Sequence, residues 1–123
     1  MLYSFVGMPP VFVVSRDWDL RGAVRAELRH AGVDARGMET VDDLGVAIAA
    51  GTVPSVVVVD GAELQNPVAR AALENIAGQV AVLVVDSRVS PAPPLPGSQL
   101  MQRPVQVKEI VGRVLAMLRG GTA

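Results

Sequence analysis

Runs of consecutive apolar residues alternate along the chain with segments in which apolar residues recur every three or four positions. Residues 11–14, 56–59 and 80–85 are unbroken apolar runs of strand length. Such runs are typical of strands buried on both faces of a parallel sheet. Residues 33–38 are predicted as a weaker second strand, and residues 100–101 mark a short last one. The pattern therefore predicts five strands.

The segments between these strands have helical spacing and recognisable end signals. Asp19 is positioned to cap a first helix, and Thr40 begins a capping-box pattern before a second. Pro67 suits the first turn of a third helix, and a terminal amphipathic helix runs from Val107 to the glycines at 120–121. Because strands and helices alternate, we expect an α/β fold, a doubly wound parallel sheet with helices on both faces.

One interval breaks this alternation. Residues 87–98, between the fourth and fifth strands, contain prolines at 91, 93, 94 and 96, which exclude an ordinary helix. A Pro-rich loop is therefore predicted in place of the helix. The sheet face that this helix would cover is expected to be partly open, or covered by the loop, by residues near Met101 or by another molecule.

Composition narrows the possible functions. The 123 residues suffice for one domain, and we expect an N-terminal leader at 1–9, the domain at 10–119 and a tail at 120–123. The formal net charge of −1 gives no reason to expect binding to nucleic acid or to a membrane surface. The chain lacks cysteine and has one histidine, His30, which excludes thiolate metal sites and two-histidine mechanisms. No targeting signal stands out, so a cytoplasmic protein is expected.

Asp60 is the first candidate for chemistry. It ends the run of four valines at 56–59 and is followed directly by Gly61. Ligands and reactive groups of open parallel sheets lie at the carboxyl ends of the strands. The position of Asp60 therefore predicts a functional carboxylate at that edge.

Three motifs resemble the receiver domain of two-component response regulators (the CheY-like superfamily). Residues 13–21, 58–60 and 103–110 follow one another in the order and spacing of that family, and the resemblance extends over roughly residues 10–119. It implies a flavodoxin-like five-stranded sheet in the order 2-1-3-4-5. It also implies that Asp60 occupies the position of the phosphoacceptor aspartate.

The resemblance is weakest at the residues that surround that aspartate. Where receivers have a pair of acids for Mg²⁺, this chain has Ser15 and Arg16, and the lysine before Pro104 is replaced by Arg103. The hydroxyl residue that closes the fourth strand is replaced by Asp86, or survives as Ser87 if the register shifts by one. Since Mg²⁺ is held by carboxylates and water, a guanidinium at an acid position removes a ligand and adds repulsion.

We therefore expect Asp60, with Asp86 nearby, to face Arg16 and Arg103 in a self-neutralised site without metal or cofactor. The resulting hypothesis is a degenerate receiver, a pseudo-receiver that acts as a protein-interaction module in signalling, is not an enzyme and does not use Mg²⁺-dependent phosphorylation. A protein partner is expected, and a homodimer is a second expectation.

Two alternatives stay open. In the first, Asp17 and Asp60 bind Mg²⁺ weakly and Asp60 is phosphorylated. In the second, the chain is a small flavodoxin-like ligand-binding protein, for which the loop at 15–19 lacks a glycine cradle. Trp18 in that loop is interpreted either as a partner contact or as a lid over neighbouring loops.

Overall fold

Five short strands form one parallel sheet in the computed structural model, which describes residues 5–87 and 91–120. The strands are β1 Val11–Val14, β2 Ala35–Met38, β3 Val56–Asp60, β4 Ala81–Asp86 and β5 Gln99–Gln102. Their spatial order is β2-β1-β3-β4-β5, which confirms the flavodoxin-like fold. The second strand is shorter than predicted, since it begins at Ala35 and not at residue 33.

In the described residues, three α-helices and one 3-10 helix connect the strands, and a fourth α-helix follows β5. They are α1 Trp18–His30, α2 Val41–Ala49, the 3-10 helix Gly61–Gln65, α3 Pro67–Ala77 and α4 Val107–Leu118. Thr40 caps α2 through a bond from the Asp43 amide, and Pro67 is the first residue of α3, as predicted.

The prediction that Asp19 caps α1 is wrong. The cap is Asp17, whose side chain accepts hydrogen bonds from the backbone amides of Asp19 and Leu20. A capping residue has extended backbone and precedes the first helical residue. Asp17 meets this condition, whereas Asp19 already lies inside the first turn, where its charge favours the helix dipole.

The core lies on both faces of the sheet and follows the two-residue period of the strands. On one face the side chains of Val13 and Val58 are buried with Leu28 of α1 and Ile110 of α4. On the other face Phe12, Val14, Val57 and Val59 are buried with Leu44 of α2 and Leu73 of α3. The central strands are therefore fully enclosed, and only their carboxyl ends present polar groups.

The Pro-rich loop covers the part of the α2–α3 face that lies beside β4, where no helix connects β4 to β5. Residues 91–98 contain no helix, and the side chains of Ala92 and Leu95 are buried against the core beside Val84. Arg70 of α3 holds the loop by donating to the carbonyl oxygens of Pro93 and Pro94 at 2.7 and 2.5 Å. A cavity of about 80 Å³ remains beneath it. Residues 88–90 of the predicted loop lie outside the described residues.

The division into leader, domain and tail stays a prediction, and its residues 1–4 and 121–123 lie outside the described ranges. Phe5, within the predicted leader, is buried in the core, and Met8 packs against it. Among the described helices, none has the length and apolar character needed to cross a membrane.

Candidate functional site

Asp60 lies at the carboxyl end of the central strand β3 and is held by three donors. Its Oδ2 accepts from the Ser15 hydroxyl at 2.8 Å and from Arg103 Nη2 at 3.1 Å. Its Oδ1 accepts from the backbone amide of Ala62 at 3.0 Å. The side chain is 13% exposed. A carboxylate bonded in this way, with one charged partner, has little need of a further ligand.

Ser15 is fixed in place by its own bonds. The residue is almost completely buried, and its Oγ accepts from the Asp17 amide at 3.0 Å while donating to Asp60. Its carbonyl oxygen accepts from Arg21 Nη1 at 2.7 Å. The serine therefore joins the end of β1, the start of α1 and Asp60 in one rigid network.

The expectation that Arg16 faces Asp60 is wrong. Arg16 Nε donates to Glu63 Oε2 at 3.2 Å, and the other Glu63 oxygen accepts from the Val41 amide at 3.3 Å. Glu63 is buried, and a buried carboxylate requires a charged or hydrogen-bonding partner. Arg16 satisfies that requirement and is thereby turned away from Asp60.

Sequence reasoning missed Glu63, because residues 61–65 were not predicted to be helical. The short helix carries Glu63 back over the end of β1, where it meets Arg16. The available signal was an acid placed between Ala62 and Leu64, directly after a strand that ends at the functional edge.

Asp86 ends β4 and is bound by backbone amides, not by an arginine side chain as expected. Its oxygens accept from the amides of Ser87 at 2.8 Å and Ala92 at 3.0 Å, and its carbonyl oxygen accepts from the Arg103 amide at 2.8 Å. Asp86 therefore anchors the Pro-rich loop and aligns Arg103 with the site.

Gly61 packs directly against Asp86. A Cβ placed on Gly61 would overlap the Asp86 carboxylate and lie 2.9 Å from the Asp86 Cα. Only glycine fits this contact, which joins the turn after Asp60 to the end of β4.

A solvent-open cavity of about 290 Å³ adjoins these groups. It is lined by Asp60, Ala62, Gln65, Asp86, Ser87 and Arg103. The structure thus brings Ser15, Arg103 and Ser87 to the Asp60 edge. Pro104 follows Arg103 through a cis peptide bond and is exposed.

The residues present do not fit Mg²⁺. The ion prefers octahedral oxygen ligands dominated by carboxylates and water. Oδ1 of Asp17 caps α1, and Oδ2 of Asp60 is bonded to Ser15 and Arg103. Within residues 5–87 and 91–120, no group of three or more acidic, histidine or cysteine side chains is placed to hold a metal ion.

Solved structures with the same fold are numerous. A response regulator receiver protein from Sinorhizobium medicae WSM419 superposes with a TM-score of 0.71 at 14% identity, covering 93% of this chain and 97% of its own. HP1043, an orphan response regulator of H. pylori, gives 0.73 at 19% identity, covering 92% and 98%. The chain has the receiver fold. No protein-family model and no curated protein match its sequence.

The receiver fold also occurs inside larger enzymes. A segment of the Francisella novicida lysine decarboxylase LdcF superposes with a TM-score of 0.71 at 11% identity, covering 95% of this chain and 18% of the enzyme. Since a fold carries many functions, the role of a receiver-like chain must be argued from its own site.

Proposed function

We propose that this receiver-like chain is a signalling module that acts through protein contacts and does not use Mg²⁺-dependent phosphorylation of Asp60. The observation that carries the proposal is the occupation of Asp60 Oδ2 by both Ser15 and Arg103. A phosphoryl group transferred to this oxygen would displace both bonds. The second carboxylate at this site, that of Asp86, already accepts from the amides of Ser87 and Ala92 and is not free to share a metal ion that neutralises the transferring group.

Intact mass after incubation with Mg²⁺ and acetyl phosphate tests this proposal. We expect no phosphoryl adduct on the wild-type chain. The double variant Ser15→Asp, Arg103→Lys is the positive control, because it replaces the two side chains that bind Asp60 Oδ2 with an acid and a shorter cation. Accumulation of a wild-type adduct that Asp60→Asn abolishes would overturn the proposal.

One observation favours the alternative, a phosphorylatable receiver. Asp60, Ser87 and Arg103 line the same solvent-open cavity, so a small phosphodonor has access to the carboxylate. Titration with Mg²⁺ followed by amide NMR separates the two functions. Specific shifts at Asp17, Asp60 and Gly61 would favour phosphorylation, and their absence favours the interaction module.

The proposed partner is another protein of a signalling pathway, and a homodimer is the second candidate. β5 is an edge strand of the sheet, and Leu100 within it is substantially exposed. Sedimentation showing a monomer at high micromolar concentration would exclude the homodimer. The cytoplasmic location stays a prediction from the sequence.

A further inference from the structure

A shallow basic groove runs between α1 and the edge strand β2, away from Asp60. Its lining consists of Trp18, Arg21, Gly22, Arg25, Arg29 and Arg36, with Gly37. We call this surface the Trp18 groove. It combines four guanidinium groups with the one tryptophan of a chain whose net charge is −1.

The fold accounts for three of the four arginines. Arg21 donates to the Ser15 carbonyl, Arg29 Nε donates to the Ala35 carbonyl at 2.9 Å, and Arg36 pairs with Asp34 at 3.0 Å. Each of these bonds uses a fraction of the five N–H donors of a guanidinium. These bonds orient the side chains and leave most of their N–H donors available in the groove.

Arg25 and Trp18 have no such structural role. The Arg25 side chain is exposed and has no hydrogen bond or ion pair with any residue in the described part of the chain. It lies four residues from both Arg21 and Arg29, a spacing at which like charges destabilise a helix. Trp18 is 71% exposed, so it is not a lid over neighbouring loops.

Charge is separated around α1. Its acidic residues Asp19 and Glu27 are absent from the groove lining, and Asp34 is the carboxylate that pairs with a groove arginine. Gly22 and Gly37 contribute no side chains to the lining, and the Arg21 side chain lies against Gly37. The groove therefore presents cations and an aromatic plane to whatever enters it.

We infer that the Trp18 groove binds an acidic segment of a partner protein that also carries an aromatic or apolar side chain. Arginine forms bidentate bonds with carboxylates, and tryptophan and arginine dominate the binding energy of protein interfaces. The groove is too open to enclose most of a small ligand, as nucleotide sites do. With a net charge of −1, the chain offers a nucleic acid little attraction beyond the groove arginines, so an oligonucleotide is the competing ligand in the test below.

The intrinsic fluorescence of Trp18 gives a direct test, because the chain has one tryptophan. The probe is a labelled synthetic peptide in which glutamates flank one phenylalanine. We expect a blue shift of Trp18 emission and an affinity that falls as the salt concentration rises.

The variant Arg25→Glu should bind the peptide about tenfold more weakly or worse, as for a charge at the centre of an interface. Lys108→Glu is the matched control, because it changes the net charge by the same amount at an exposed position of α4. This variant should bind the peptide as the wild type does.

Four results would overturn the inference. The first three are failure of the peptide to bind, equal binding by Arg25→Glu and wild type, and binding of a thymidine oligonucleotide in preference to the peptide. The fourth is self-association that Arg25→Glu abolishes, which would assign the groove to a second copy. The inference rests on the proposed function as an interaction module. The two can nevertheless be tested separately, because the acetyl phosphate experiment reports on Asp60 and the peptide experiment reports on Arg25.

Discussion

At the scale of single residues, the sheet edge that carries Asp60 depends on close contacts that a larger side chain would disrupt. Gly61 lies against Asp86 so closely that any side chain must displace the β4 end. Asp86 in turn holds Ser87 and Ala92 through its carboxylate. A change at Gly61 is therefore transmitted to the Pro-rich loop.

We expect Gly61→Ala to destabilise the protein by about 2 kcal/mol or more, as overpacking of a rigid site does. Gly45→Ala is the matched control, since Gly45 lies inside α2 with open space at its Cβ. It should stabilise by about 0.5–1 kcal/mol through helix propensity. Urea denaturation measures both, and equal stabilities of the two variants would contradict the contact.

The two partners of the ion pair between Arg16 and Glu63 differ in solvent exposure. The Arg16 side chain is 70% exposed and the Glu63 side chain 8%. We expect Arg16→Ala to cost about 0.5 kcal/mol, within the range of exposed pairs. Glu63→Ala should cost about 1–3 kcal/mol, because it also removes the acceptor of the Val41 amide. Thermal unfolding compares the two, and a larger loss for Arg16→Ala would contradict this interpretation.

At the scale of elements, the Pro-rich loop substitutes for a helix by means of side-chain contacts. The proline pattern predicted that no helix would form there. It could not distinguish an open face from a covered one, because burial of Ala92 and Leu95 depends on distant partners. Arg70, on α3, carries no local signal that it binds the carbonyl groups of Pro93 and Pro94.

Removing Arg70 should loosen the loop without unfolding α3. We expect Arg70→Ala to lower stability by about 1 kcal/mol and to speed hydrogen exchange at the Ala92 and Ser98 amides. Glu74→Ala removes the ion pair of Arg70 but leaves its two carbonyl bonds. Exchange in that control should match the wild type, and faster exchange there would show that the ion pair, not the carbonyl bonds, secures the loop.

The same scale shows which parts of the candidate site were predictable. Parallel strands placed Asp60, Ser15 and Arg103 at one edge because their carboxyl ends share it. The direction of Arg16 was not predictable, since it depends on Glu63 in a short helix with no periodic signal. Local pattern thus gives the position of a side chain, while the choice of partner depends on packing.

At the scale of the whole molecule, metal binding would stabilise the fold. A ligand that binds the native state alone raises stability by RT ln(1 + [L]/Kd). We expect 10 mM Mg²⁺ to leave the melting temperature of the wild type unchanged. The variant Ser15→Asp, Arg103→Lys should gain about 1.4 kcal/mol if its Kd is about 1 mM. Differential scanning fluorimetry with a matched NaCl control measures both, and a wild-type increase specific to Mg²⁺ would contradict the assigned site.

The enclosure of β3 and β4 has a consequence for solubility. Residues 56–59 and 81–85 are uncharged, apolar and rich in valine, the composition that forms intermolecular sheets when a chain unfolds. Asp60 and Asp86 are the charges that end these two segments, the position where gatekeeper residues oppose aggregation. Neutralising Asp60 to examine signalling therefore also removes a gatekeeper, so light scattering belongs beside any functional assay of that variant.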